Sequence, residues 1–257
     1  MEQLTHPFDD RADAGRQLAT ALAALNLDHP VIYALPRGGV PVGVEVAKSL
    51  HAQLDLLIVR KIGAPRNPEV ALGAIVEGAS REVVINENVK RLSGADEAYI
   101  AAAVADQREE LARRKKAYLG DRPRLDPSGR TVVIVDDGLA TGATMKAALI
   151  GLKRSNPKRI ILALPVAPKL ALEEMSDLAD DIICLHPATV FQGVGGFYRD
   201  FHQLTDDETV ALLAQASTNL KNNPQAAAAP MHKRQVAIPP LGLPGDLTVP
   251  KNPRGIV

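Results

Sequence analysis

The chain has 257 residues, 46% of them hydrophobic and only 3% aromatic, so one sizeable core is expected and it must be aliphatic. Lys plus Arg and Asp plus Glu number 30 each, which leaves no net charge and excludes a general attraction to nucleic acid or an anionic membrane. No signal peptide is recognisable and no apolar run approaches the roughly 20 residues of a bilayer span, so a soluble cytoplasmic protein is expected.

Strand-like and helix-like segments alternate along the chain. Residues 31–35 read as a buried strand ending in a Pro-Arg-Gly-Gly turn, and 40–50 as the helix that follows. Residues 54–59 are predicted as a second strand, 71–77 with 82–85 as a hairpin, and 95–119 as a long helix, apolar early and strongly charged later. Within that helix QREELARRKK places acids ahead of bases, which suits both side-chain pairing and the helix dipole. Next come strand 132–135, helix 143–153, strand 159–166, a short helix from Pro168, strand 181–185 and a last helix near 206–215. The single cysteine, Cys184, permits no internal disulfide, suits a reducing compartment and reads as a small core residue rather than a nucleophile. This order predicts an α/β fold: a mainly parallel sheet flanked by helices, with a ligand site at the carboxyl ends of the strands. A domain over residues 1–218 is expected, followed over 219–257 by a linker and two short strand-like runs.

The stretch VVIVDDGLATGATM, residues 132–145, carries the most chemistry. Asp136 and Asp137 are adjacent like charges at the end of a buried strand, which asks for a compensating ligand. Gly138 and Gly142 permit tight turns and close approach of a ligand, and Thr141 and Thr144 supply hydroxyls or helix caps. Successive N–H groups at a helix start form a nest for an anion. The acids cannot bind that anion, but they can accept hydrogen bonds from sugar hydroxyls or help to hold a hydrated Mg²⁺. A ligand that combines phosphate, diol and metal is therefore predicted. The alternative is structural: an acid that caps a turn, with glycines that allow tight packing. No GxxxxGK[ST] run occurs, and the glycines do not precede the acid as in a dinucleotide fingerprint.

In these residues the segment closely resembles the 5-phosphoribosyl-1-pyrophosphate (PRPP) binding motif of type I phosphoribosyltransferases. The resemblance implies their fold, a parallel sheet flanked by helices with a small hood. It also implies that Asp136 and Asp137 take the ribose hydroxyls and, through ligand and water, Mg²⁺. Ala140, Thr141, Gly142, Ala143 and Thr144 would take the 5-phosphate. ALPRGGVPVG supplies Arg37, Gly38 and Gly39 for the pyrophosphate-binding turn, where glycines let amides reach the oxygens and Arg37 adds charged donors.

LIVRKIGAPRNPEVALGAIVEG is similar to the flexible catalytic loop of adenine phosphoribosyltransferases. By that likeness Arg60 binds the leaving group and Lys61 and Glu77 are catalytic, with Glu77 a contact to the base. FQGVGGFYRDF resembles the purine pocket of hypoxanthine-type enzymes, which implies that Phe191 and Val194 flank the base and that Arg199 reaches pyrophosphate. One departure is Ala140, which stands where hypoxanthine-type enzymes carry an acid three residues after the second motif acid. The helix at 95–119 has no counterpart in the small adenine enzymes and is assigned to a hood or a dimer contact.

The resemblance covers roughly residues 8–215 and implies transfer of phosphoribosyl from PRPP to a nitrogenous base, purine-like by preference, with Mg²⁺ as cofactor and release of pyrophosphate. The partners expected are PRPP and a small base, with no nucleic acid and no membrane, in a homodimer. The alternative is a non-catalytic domain that senses PRPP or a nucleotide. PRPP synthesis is disfavoured, since that class uses two tandem domains and one motif is present here. The tail GDLTVPKNPRGIV resembles the opening hairpin of a dienelactone-hydrolase-type domain, and is expected to be poorly ordered. With no GxSxG in the chain, no esterase activity is expected.

Overall fold

The computed structural model describes residues 6–77, 81–221, 232–238 and 243–249. The chain opens with α1 (Arg11–Ala23), β1 (Val31–Ala34), α2 (Gly39–Ser49) and β2 (Gln53–Leu56). It then builds β3 (Ile58–Ala64), β4 (Asn67–Glu77), β5 (Arg81–Ile85), α3 (Glu87–Ser93) and α4 (Glu97–Leu119). The return passes through β6 (Thr131–Val135), α5 (Ala143–Arg154), β7 (Arg159–Pro168), α6 (Lys169–Glu173), β8 (Asp181–Ala188) and α7 (Asp206–Lys221). Strands β9 (His232–Ile238) and β10 (Leu243–Val249) pair antiparallel. The expectation of poor order there falls largely on residues outside those described.

Five strands form a parallel sheet in the order β2-β1-β6-β7-β8, and β3-β4-β5 form a separate antiparallel sheet, the small hood. The central strands are apolar at nearly every position because helices cover both faces. Alternation sends Ile32, Ala34, Val133 and Val135 to a core shared with α1, α2 and α7. Val31, Tyr33, Val132 and Ile134 face the other way, into a core shared with α5 and α6. From β1 the chain steps outward to β2 and then crosses back to lay β6 on β1's other side. The strand order therefore reverses between β1 and β6, where open α/β sheets bind ligands at their carboxyl ends. The register Ala34↔Val135 brings those two ends level.

Polar contacts fix the hood. Arg60 Nε donates to Gln107 Oε1 at 3.1 Å and Tyr99 donates to the Gly63 carbonyl at 3.0 Å, tying α4 to β3. At the far end of α4, the Tyr118 hydroxyl donates to Asp206 Oδ1 at 2.6 Å, at the start of α7. The connector from α4 to β6 is held by Asp55, which is fully buried. Its carboxylate accepts the N–H groups of Leu56 (2.7 Å) and Leu125 (2.9 Å), and Arg122 and Arg124 flank it at 3.4 and 3.2 Å.

The strand predicted at 54–59 is two strands, because the chain leaves the parallel sheet at Leu56 and joins the antiparallel one at Ile58. The long helix starts at Glu97 rather than at residue 95, because the Asp96 side chain accepts the Tyr99 N–H at 2.7 Å and caps it. A separate helix, α3, precedes it and ends on left-handed Gly94 (φ 68°).

Candidate active site

Two loops leave the sheet side by side at the β1/β6 reversal. The Leu35 N–H donates to the Val135 carbonyl at 3.0 Å, and the Gly39 N–H to the Leu35 carbonyl at 3.0 Å folds the Pro-Arg-Gly-Gly turn into α2. The Pro36–Arg37 peptide is cis. Gly38 has an ordinary helical φ of −58°, so what demands glycine there is space rather than conformation. A Cβ on Gly38 would stand 2.1 Å from Asp137 Oδ2, and one on Gly39 would stand 2.8 Å from the Val135 carbonyl and 2.9 Å from Asp136 Cα. The turn and the acid pair therefore form one surface.

The acid pair is half-buried. Asp136 Oδ1 accepts the Asp137 N–H at 2.9 Å. Asp137 Oδ2 accepts Arg11 Nε at 2.7 Å, and its carbonyl accepts the Tyr198 hydroxyl at 2.5 Å. Burial, and then the charge of Asp137, hold the Asp136 carboxyl well above the ordinary carboxylate range. Burial raises Asp137 as well, and its bond to Arg11 pulls the other way. One guanidinium does not balance two carboxylates, so the arrangement favours ligand donors or a cation.

The loop after the acids is pinned by the Leu139 N–H, which donates to the Val166 carbonyl at 3.0 Å. Gly142 is left-handed (φ 76°) and starts the 12-residue α5 without any side-chain cap. Gly142 is buried, whereas Ala140, Thr141, Ala143 and Thr144 are exposed around it. The uncapped N–H groups and the positive end of the helix dipole suit an anion here.

The structure brings Asp136, Asp137, Gly38, Gly39 and the Gly138–Thr144 loop together, with Arg37 beside them in the turn but its guanidinium directed to Asp206. Val194 joins them, since a Cβ on Gly138 would stand 2.6 Å from Val194 Cγ1. Phe191 stacks on Phe197 with ring centroids 5.8 Å apart. A cavity of about 480 Å³ opens beside this segment, lined by Pro7, His186, Val190, Gln192, Gly193 and Phe197 among others. Phe197 and Val190 line it. Burial lowers the pKa of His186, which favours its neutral form.

Other expected residues have partners elsewhere. Arg199 is exposed and pairs with Asp9 at 2.7 Å. Arg37 reaches Asp206 at 3.8 Å, and Arg113 meets the same carboxylate at 3.7 Å. Arg60 and Lys61 were expected at the start of a flexible loop. They lie instead within β3, opposite Ile75 and Ala74, because β3 and β4 pair across this segment. Lys61 meets Glu69 at 3.3 Å. Glu77 is buried at the end of β4, with Lys115 Nζ 2.8 Å from Oε1. Burial pushes the half-buried Cys184 thiol up to about 11, which agrees with its reading as a packed rather than a reactive residue.

Arg11 was not anticipated. The helix that carries it, α1, is not among the predicted elements either. Among the described residues no cluster of three or more His, Cys, Asp or Glu could hold a metal ion unaided, and no helix is long and apolar enough to cross a membrane.

The phosphoribosyl transferase domain family model matches residues 9–202. Rv0571c of Mycobacterium tuberculosis H37Rv, provisionally named a phosphoribosyl transferase, is 44% identical over 255 residues, 97% of this chain and 57% of its own length. The chain thus spans little more than half of that relative. The crystal structure of TT1426 from Thermus thermophilus superposes with a TM-score of 0.73 at 44% identity, covering 81% of this chain and 98% of that one. With the parallel sheet and hood described above, these matches establish that the chain belongs to the phosphoribosyl transferase domain family.

Proposed function

We propose that this chain transfers the phosphoribosyl group of PRPP to a small nitrogenous base, purine-like by preference, and releases pyrophosphate. The observation that carries this reading is the fit of Gly38 against Asp137, where a Cβ would come within 2.1 Å of Oδ2. It joins a pyrophosphate-type turn to a sugar-and-phosphate loop in one crevice, as a ligand with phosphates at both ends of a ribose requires. In the reaction a ring nitrogen of the base forms a bond to ribose C1 as the bond from C1 to pyrophosphate oxygen breaks. The electron pair leaves with pyrophosphate, and the base's proton passes to solvent or a nearby acceptor.

In this reading Asp136 and Asp137 accept hydrogen bonds from the ribose hydroxyls. The amides from Ala140 to Thr144 and the Thr141 and Thr144 hydroxyls receive the 5-phosphate. Gly38 and Gly39 present amides to pyrophosphate beside the Arg37 guanidinium, which stabilises the departing charge. The donor set also suits Mg²⁺, since two carboxylates share a single guanidinium and both sit at a strand end. Asp136 and Asp137 would hold it jointly with ligand oxygens and water, and when bound it supplies positive charge to the leaving pyrophosphate. The cavity beside Phe197 and His186 is the proposed seat of the base, mostly apolar with few polar groups. A homodimer, and a linker and short strand-like tail beyond α7 as the remnant of a hydrolase-type domain, belong to the same reading.

The second reading, a PRPP or nucleotide sensor, is favoured by one observation. Glu77, the carboxylate aligned with a catalytic position, is buried against Lys115. Purified protein with PRPP, Mg²⁺ and a panel of purines and pyrimidines should release pyrophosphate with at least one base. PRPP binding by calorimetry without turnover on any base would select the sensor, and absence of PRPP binding would overturn both.

A further inference from the structure

Arg11 reaches the acid pair from 126 residues away in sequence, and three groups fix it there. Its Nε donates to Asp137 Oδ2 at 2.7 Å, one terminal nitrogen donates to the His202 carbonyl at 2.9 Å, and the guanidinium lies 3.9 Å above the Phe201 ring. Its side chain is 9% exposed and that of Asp137 14%. The backbone around it is equally defined. Asp10 caps α1 by accepting the Asp13 N–H at 2.7 Å. The Phe8 and Asp9 carbonyls accept the N–H groups of Arg199 and Asp200, both at 2.9 Å. The start of α1 and the segment at 198–202 thus converge on one carboxylate, whose own carbonyl is held by Tyr198.

We propose that Arg11 is a positioning residue for phosphoribosyl binding: it locks the Asp137 carboxylate against the Gly38 turn in the orientation that receives the ribose. The proposal rests on the PRPP reading above. Without Arg11 the Asp137 side chain would lose the charged partner that fixes its orientation beside Asp136 and the Gly38 turn. Arg11 engages Oδ2 through Nε. A buried ion pair adds little net stability compared with an apolar pair of the same shape, so stability alone gives weak reason for a guanidinium in this place. Lysine would keep the charge but could not engage Asp137, His202 and the Phe201 face together, because those three contacts use the planar fork.

The test is a double-mutant cycle read by calorimetric titration with PRPP and Mg²⁺ on wild type, Arg11→Gln, Asp137→Asn and the double variant, with melting temperatures alongside. Arg11→Gln is expected to weaken PRPP binding about tenfold, the scale of one lost charge-assisted bond. In the Asp137→Asn background the same change should alter affinity by less than about twofold, since nothing remains to position. Arg11→Lys should fall between wild type and Arg11→Gln. If Arg11→Gln does not fold, Arg11→Lys decides the matter, and it must bind PRPP more weakly than wild type. Wild-type affinity in Arg11→Gln with a lowered melting temperature makes Arg11 a purely structural residue and overturns the proposal. Failure of the wild type to bind PRPP overturns the functional reading itself, a separate outcome seen before any variant is made.

Discussion

Gly38 and Asp137 meet so closely that a methyl group on Gly38 would overlap Asp137 Oδ2, at 2.1 Å. The carboxylate cannot yield cheaply, because the same oxygen accepts Arg11 Nε at 2.7 Å. Gly38→Ala should therefore cost about 1–3 kcal/mol of stability, the usual penalty of overpacking. It should also weaken PRPP binding by at least about tenfold by displacing Asp137. Urea denaturation and calorimetry measure the two effects separately. A variant with full affinity would show that the turn and the acid pair do not share a ligand.

Asp136 predicts an opposition between stability and binding. Burial and the charge of Asp137 raise its folded pKa well above the ordinary value. The folded state then binds this proton more tightly than the unfolded chain, so the stabilisation is complete below the unfolded value of about 4. It is lost progressively as pH rises from there to the raised folded value, in protein free of metal and ligand. Asp136→Asn keeps an oxygen for the Asp137 N–H, now accepted at 2.9 Å, but carries no charge. It should melt above wild type at pH 7, by a margin that shrinks towards zero below about pH 4, and it should bind PRPP poorly. A lower melting temperature at pH 7 would make Asp136 a structural cap.

Asp55 supplies the contrasting case, a buried carboxylate with no part in the proposed chemistry. Its removal in Asp55→Ala frees the Leu56 and Leu125 amides and leaves Arg122 and Arg124 without their carboxylate. Breaking one side of such a buried cluster costs about 3–5 kcal/mol, so the urea midpoint should fall sharply. PRPP affinity of the folded fraction should be unchanged. A loss of affinity at wild-type stability would mean that this end of the sheet communicates with the site.

Local signals were the readable ones. Strand β6, the two acids and the Thr-Gly loop are consecutive, so a buried run that breaks into carboxylates and glycines announces both a strand end and a ligand-facing turn. The Pro-Arg-Gly-Gly turn is legible for the same reason. Contacts between remote segments are not. Nothing near Arg11 marks its partner as Asp137, and nothing at Leu57, apolar like its neighbours, marks where the chain changes sheets. In FQGVGGFYRDF two phenylalanines flank a glycine turn, and their spacing does not say that Phe197 lines the cavity and Phe191 stacks on it. The hood residues Arg60 and Lys61 looked like a loop because glycines and prolines follow them, yet cross-strand pairing with β4 overrides that local signal.

Glu77 and Lys115 offer the sharpest division between enzyme and sensor. Lys115 Nζ lies 2.8 Å from Glu77 Oε1, the carboxylate side chain is 5% exposed and the lysine 39%. A carboxylate this enclosed acts first as part of the contact between β4 and α4. Glu77→Gln and Lys115→Met should each lower stability, and the double variant should lose less than the sum, with a coupling of about 1 kcal/mol or more in urea titrations. PRPP affinity should stay within about twofold of wild type in all three, since the pair joins β4 to α4 rather than the two cradle loops. Pyrophosphate release then separates the roles. If Glu77→Gln lowers turnover far more than Lys115→Met at matched stability, the carboxylate acts on the base; if both lower it equally, the pair only holds the hood in place.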